Sequence, residues 1–278
     1  MRQALDLGEL EALILDIDGT LFWGDSPVPG FHRLFAFLSA HRVPFIVVSN
    51  NATRSPAAYQ QKLANLGVSV GSEHILTAGA ATVSYLLRTL GSGARLYVIG
   101  EAALRDALEE AGFVLGEDAA EPVEAVVVGG DSALTYEKLK NATLLLQQGA
   151  RLVGTNSDVL CPTEEGLVPE AGTTLAALQA ATGVGPTIVG KPEGFLFELA
   201  VERLGKAADR IALVGDRLET DIVGGRRVGL KTILTTTGVD NETTILQKGT
   251  APDLVVGGLD ALVDFWQLQL EEGRDECS

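Results

Sequence analysis

Nine apolar runs of strand length recur along the chain with helix-like stretches between them: ALILDID, PFIVVSN, RLYVIG, EAVVVGG, RLVGTN, TIVGK, RIALVGD, KTILTTTG and PDLVVGG. Their Val, Ile and Leu residues are continuous instead of alternating with polar ones. A strand with one wet face alternates, whereas a strand buried on both faces reads as an unbroken apolar run. The pattern therefore predicts an α/β chain of parallel sheets covered by helices. At 278 residues there is room for two domains, each burying its own core. A composition 46% hydrophobic and 21% charged, without low-complexity stretches, describes a globular protein, with disorder expected only in the tail EEGRDECS.

How the runs end is more informative than how they are built. Four finish in polar residues: Asp16 and Asp18, Ser49 and Asn50, Lys191, and Asp216. Ligands of an open parallel sheet sit beyond the carboxyl ends of its strands, so these tips are expected to meet in one crevice although they are far apart in sequence.

Lys191 lies in GPTIVGKP, close to a nucleotide-binding P-loop. Such a loop needs Ser or Thr after its lysine to reach Mg²⁺, and Pro192 has no hydroxyl. The TIV between the glycines reads as a strand instead of a phosphate-wrapping loop. In LILDIDGT, strand alternation projects Asp16 and Asp18 alike, with Ile17 turned away. In LVGDRLETD, Asp216 ends another buried-type strand, and Asp221 lies about one and a half turns along a helix that starts there. Several carboxylates at one sheet edge suit a hard divalent cation, Mg²⁺ above all. A phosphate beside that ion fits the cationic Lys191, Ser49 and the backbone N–H groups near Asn50.

These motifs in this order, DIDGT, VSNN, a strand-borne GKP and GDRLETD, resemble the haloacid dehalogenase superfamily of aspartate-nucleophile phosphohydrolases. VPG after the first motif, TYEKL, VGTNSD and ATGVGPTIVGKP extend the resemblance over nearly the whole chain, toward the branch with 4-nitrophenyl, phosphoglycolate, pyridoxal phosphate and nucleotide monophosphate phosphatases. The resemblance implies a Rossmann-like parallel-sheet core and a Mg²⁺-dependent phosphomonoester hydrolase acting on a small phosphorylated metabolite. It implies that Asp16 attacks phosphorus to form an aspartyl-phosphate, and that Asp18 serves as general acid and then base. Ser49, Asn50 and Lys191 would hold the phosphoryl group. Asp16, Asp216 and the Asp18 carbonyl would bind the metal, with Asp221 supporting them from behind.

The same resemblance implies a large α/β cap inserted between the second and third motifs. It is expected at residues 80–184, with the catalytic core at 1–79 and 185–278, and its closure would exclude water and contact the substrate. Thr155, Asn156 and Asp158 are the substrate candidates in the cap, near Pro169–Gly172. Glu170 stands in VPEAG where relatives often carry a small residue, and a carboxylate facing the crevice would disfavour a second anionic group on the substrate. The family resemblance also implies pairing of two chains through their caps, although the apolar face in GGDSALTYEKLKNATLLLQQG is read first as cap core.

Other classes lose support. A net charge of −16 with no basic patch argues against nucleic acid and anionic membranes as partners, whether or not the acidity reflects salt adaptation. No apolar run approaches a membrane span and the N-terminus lacks a signal-like segment, so a cytoplasmic protein is expected. Two cysteines, Cys161 and Cys277, make no disulfide framework, and CPTEEGL lacks the arginine of a cysteine phosphatase. His32, His41 and His74 sit in no catalytic motif, and no Gly-x-Gly-x-x-Gly occurs. A dehalogenase would not need an acid at position 18. A non-catalytic relative that binds a phosphorylated ligand remains the alternative, and such a protein usually loses one of Asp16, Asp18, Lys191 and Asp216. Phe22 and Trp23 are read as packing residues.

Overall fold

The computed structural model of the chain describes residues 5–163 and 165–275. It forms two compact units, one from the described parts of 1–49, 60–75 and 197–278, the other from 50–59 and 76–196. The first unit begins with β1 (Ala12–Asp16), a short hairpin of β2 (Phe22–Trp23) and β3 (Ser26–Pro27), α1 (Phe31–His41) and β4 (Phe45–Ser49). Helix α2 (Pro56–Asn65) and strand β5 (Ile75–Thr77) each span a unit boundary. The second unit continues with α3 (Ala78–Thr89), β6 (Arg95–Ile99), α4 (Ala102–Glu110), β7 (Val114–Gly116), β8 (Ala125–Val128), α5 (Tyr136–Gln147) and β9 (Arg151–Gly154). A hairpin of β10 (Leu160–Thr163) and β11 (Gly166–Pro169), then α6 (Ala171–Thr182) and β12 (Thr187–Ile188), complete it. From α7 (Phe195–Leu204) the chain returns to the first unit through β13 (Ile211–Gly215), a π-helical turn (Leu218–Ile222), α8 (Val223–Arg227), β14 (Lys231–Thr235), α9 (Glu242–Lys248), β15 (Leu254–Val256) and α10 (Leu259–Asp275).

All nine apolar runs form strands. The sheet of the first unit has the order β15-β14-β13-β1-β4-β5. Strand β1 pairs in parallel with β13 on one side and β4 on the other, with every residue of β1 and β13 buried. Because the chain leaves β1 in one direction and later returns beside it on the other, the carboxyl end of β1 lies where an α/β sheet opens a ligand crevice. Helix α10 buries Leu259, Leu262, Val263 and Trp266, a helical stripe, and Trp266 meets Phe37 of α1 at 5.2 Å between ring centroids. Phe22 is fully packed, 5.3 Å from Phe31, whereas Trp23 is half-exposed and donates its indole N–H to the Thr237 carbonyl.

The second unit has its own parallel sheet, order β12-β9-β8-β6-β7. Leu145 and Leu146 of α5 and Leu175 and Leu178 of α6 pack with Val126, Val128 and Leu152 of the strands, so the apolar face of α5 serves this core.

Two expectations are corrected. Strand β12, which leads to Lys191, pairs with β9 in the second sheet, so Lys191 is not a fourth tip of the sheet that carries Asp16. The terminal helix runs through Asp275, into the tail expected to be disordered, while Cys277 lies outside the described residues. Among the described residues no helix is long and apolar enough to cross a membrane.

Candidate active site

Asp16 is the last residue of β1 and is 4% exposed. Directly after it the chain turns back: Leu21 and Phe22 donate their N–H groups to the Ile17 carbonyl, and Gly19 donates to Phe22. The turn places Gly19 at φ +91°, where a β-carbon would overlap the Asp216 carboxylate. Glycine is therefore required twice, for the positive φ and for the close approach. Ile17 is buried, while Asp18 is exposed.

Asp216 follows β13 and accepts a hydrogen bond at Oδ2 from the Val239 N–H, 2.8 Å. The backbone then widens into the π-helical turn, a rare geometry that recurs at functional sites. The turn carries Asp221, fully buried, whose Oδ2 accepts from the Arg217 N–H at 3.1 Å. Gly215 makes room for it, since a β-carbon at Gly215 would overlap the Asp221 side chain. The result is that Asp16, Asp216 and Asp221 bring carboxylate oxygens within 4.8 Å of one another, all three buried. The Asp18 side chain is not part of this group. Asp221, expected behind the metal ligands, stands among the clustered carboxylates themselves.

At 4.8 Å, each charged pair repels by at least about 3 kcal/mol at an effective dielectric near 20. A compact set of hard oxygen donors suits a hard divalent cation, which would relieve this repulsion. Sequence reasoning missed Asp240, buried in the loop after β14. Its Oδ2 accepts from the Leu218 N–H at 2.7 Å, its Oδ1 pairs with Lys248 at 3.0 Å, and its own N–H donates to the Asp216 carbonyl. It thereby ties the start of the π turn to Asp216. Burial alone would raise the Asp240 pKa, but the Leu218 N–H, Lys248 and Thr244 outweigh it and hold the carboxyl below its ordinary value.

Ser49 ends β4 and is fully buried beside the carboxyl end of β1, to which β4 is paired. The other expected site residues belong to the second unit, where they form one hydrogen-bonded set. The Asn50 Nδ2 donates to the Asp158 Oδ2 at 2.7 Å and to the Lys191 carbonyl at 3.2 Å, and its Oδ1 accepts from the Lys191 N–H at 2.8 Å. Asn156 donates from Nδ2 to the Asn50 carbonyl at 2.9 Å and accepts at Oδ1 from the Asp158 N–H. The Thr155 carbonyl accepts from the Gly190 N–H at 2.8 Å. Lys191 is 3% exposed, Thr155 and Asn156 still less. Glu170 stands at the N-cap position of α6 at the same end of the sheet. Burial, reinforced by Asp158 and Glu101, raises its pKa, with the Asn156 side chain and the Ala171 N–H acting to lower it.

Comparison with known proteins agrees with this construction. The family described as haloacid dehalogenase-like hydrolase matches residues 13–114, and a second, HAD-hydrolase-like description matches residues 188–262. An acid sugar phosphatase of Staphylococcus aureus is 36% identical, over 88% of this chain and 93% of its own. The crystal structure of a 4-nitrophenylphosphatase from Thermotoga maritima superposes with a TM-score of 0.88 at 35% identity, covering 94% of this chain and 98% of that one. A glycerol phosphate phosphatase from Mycobacterium tuberculosis, solved in complex with calcium, gives 0.84 at 32% identity, covering 94% and 76%. The chain thus belongs to the haloacid dehalogenase-like hydrolase family, in the branch that holds the 4-nitrophenylphosphatases.

Proposed function

We propose that this chain is a Mg²⁺-dependent phosphatase that hydrolyses small phosphomonoesters through an aspartyl-phosphate on Asp16, with the inserted α/β segment at about residues 80–184 acting as a cap whose closure excludes water from the site. The observation that carries the reading is the buried cluster of Asp16, Asp216 and Asp221 at the carboxyl end of β1, with Asp18 two residues beyond Asp16 and outside the cluster. The names of the relatives, phosphatases of sugar, nitrophenyl and glycerol phosphates, support the reaction class.

Asp16, Asp216 and the Asp18 carbonyl, with Asp221 beside them, would hold the cation, whose positive charge draws electron density from the phosphoryl oxygens. An Asp16 carboxylate oxygen forms a bond to phosphorus as the ester P–O bond breaks. The Asp18 carboxyl gives its proton to the departing alkoxide oxygen, so the alcohol leaves neutral. A water then attacks the phosphorus of the aspartyl-phosphate, Asp18 takes the water's proton, and inorganic phosphate and the Asp16 carboxylate are regenerated. Separation of Asp18 from the carboxylate cluster leaves its side chain available for proton transfer in both steps. Ser49, the backbone beside Asn50, and Lys191 hold the phosphoryl oxygens, and Lys191 offsets the charge that accumulates on them.

The test is phosphate release from a panel of phosphomonoesters, including 4-nitrophenyl, glycerol and sugar phosphates, with Mg²⁺ or with EDTA. Native protein is expected to turn over only with Mg²⁺, and Asp16→Asn, at equal folded concentration, to lose at least about 10³-fold. No release from any ester by Mg²⁺-loaded native protein would favour a non-catalytic phosphate-ligand binder instead.

A further inference from the structure

Asn50 has been placed beside the phosphate, yet its side-chain amide is already committed. An amide has two N–H donors, and only donors attract an anion. Both are engaged, one by the Asp158 carboxylate and one by the Lys191 carbonyl, while the amide oxygen accepts from the Lys191 N–H. The side chain thus pairs with the main chain of Lys191 on both sides, as a neighbouring strand would. Its orientation matters: with oxygen and nitrogen exchanged, the amide oxygen would face the Asp158 carboxylate and the Lys191 carbonyl, and the NH₂ would face the Lys191 N–H. All three contacts would become repulsive. Asp158 is the charged partner among the three, and a charge-assisted bond is the strongest of such a set.

The Asp158 side is itself fixed. Its N–H donates to the Asn156 Oδ1, and the Asn156 Nδ2 returns to the Asn50 carbonyl. The backbone beyond β12 is held against the same segment, with the Gly190 N–H on the Thr155 carbonyl. A β-carbon at Gly190 would overlap both the Asn50 Oδ1 and that carbonyl, so the approach needs glycine.

We propose that Asp158 is a positioning residue that, by locking the Asn50 amide in one orientation, fixes the Lys191 backbone and so aims its ammonium at the transferring phosphate. The side chain of Asn50 is then a strut and not a phosphate ligand. The proposal rests on the reading of Lys191 as the phosphate lysine, while the clamp itself lies wholly within the second unit.

Three variants, Asp158→Ala, Asp158→Asn and Asn50→Ala, together with the double alanine, separate the possibilities. The readouts are KM, kcat, the inhibition constant of inorganic phosphate with 4-nitrophenyl phosphate as substrate, and hydrogen exchange of the Lys191 amide. Asp158→Ala is expected to raise KM and the phosphate inhibition constant about tenfold, to speed Lys191 amide exchange by a similar factor, and to leave the thermal midpoint of the second unit close to native. Asp158→Asn can offer its own Oδ1 to the Asn50 amide and is expected to stay within about threefold of native. The double variant should be no worse than Asn50→Ala, because the two residues act as one device.

Native constants and native exchange in Asp158→Ala would overturn the proposal. So would an Asp158→Asn variant as impaired as the alanine, or a double variant whose loss is the product of the single losses. Should Mg²⁺-loaded native protein neither hydrolyse esters nor bind inorganic phosphate, the assigned function fails. Exchange at Lys191 still judges the clamp then: unchanged protection in Asp158→Ala refutes it, and lost protection leaves it standing.

Discussion

Glu170 is the residue at which a preference between substrates can be tested. It is half-buried, close enough to Gly130 that a β-carbon there would overlap its carboxylate, and its pKa is influenced by Asn156, which itself holds the Asn50 carbonyl. Asp158 and Glu101 add to the negative field around it. A substrate whose leaving group carries a second phosphate or a carboxylate would meet that field, whereas a neutral polyol would meet hydrogen-bond acceptors. Glu170→Gly should therefore raise kcat/KM for esters with a second anionic group about tenfold relative to glycerol phosphate, as expected for one partly screened charge pair. The discrimination has a pH signature. Because burial raises the Glu170 pKa, the repulsive charge disappears as pH falls through a value above the ordinary glutamate range, so native protein and variant should converge in acid. A substrate ranking that is the same for both at every pH would rule out this role for Glu170.

Among the elements, the π-helical turn decides where the third carboxylate stands, and Asp240 decides where the turn begins. Because the folded Asp240 pKa is lowered, its stabilisation is fully present above the ordinary aspartate range and is lost as pH falls through the lower folded value. Asp240→Asn should cost about 1–3 kcal/mol at neutral pH, the usual cost of weakening buried hydrogen bonds to a charge. It should also flatten the loss of stability below about pH 4. Urea unfolding at pH 7 and pH 3 measures both, and parallel losses for native protein and variant would show that Asp240 is not what acid removes. The π turn is also the element least legible in the sequence. The long buried strands declare themselves through unbroken apolar runs, and their polar tips locate Asp16, Ser49 and Asp216. Strands β5, β7, β10 and β11 are three or four residues long and make no such run. Strand β12 is visible as an apolar run, but its choice of sheet depends on a two-residue pairing with β9 that no local pattern encodes. The start of the π turn is held by a local bond from the Arg217 N–H to Asp221 and by a long-range bond from the Leu218 N–H to Asp240, and the second of these is invisible to a local reading, which gives a helix of ordinary pitch. Asp240 carries one sequence signal, its place in the loop that leaves the carboxyl end of β14, the parallel neighbour of β13. Its bond to the start of the π turn, 22 residues away, leaves no trace in that loop.

For the chain as a whole, a net charge of −16 draws cations weakly to every surface, and a specific metal site must be told apart from that general attraction. The distinction follows from range. Diffuse attraction is screened within about 10 Å at an ionic strength near 0.1 M, whereas repulsion among Asp16, Asp216 and Asp221 acts over less than 4.8 Å in a buried setting. At constant ionic strength set with NaCl, Mg²⁺ at a hundredfold excess over its dissociation constant should stabilise the native chain by about 2.7 kcal/mol. For a chain of this size that corresponds to a rise in thermal midpoint of about 5 °C. Asp216→Asn removes one of the repelling charges and one donor together, so its metal-free midpoint should rise above native while its response to Mg²⁺ collapses. Glu110→Gln, an exposed position on α4, changes the net charge by the same amount and should do neither. A Mg²⁺ response that survives in Asp216→Asn, or that NaCl reproduces, would mean that the cation acts on the surface charge as a whole and that the three buried carboxylates do not form its site.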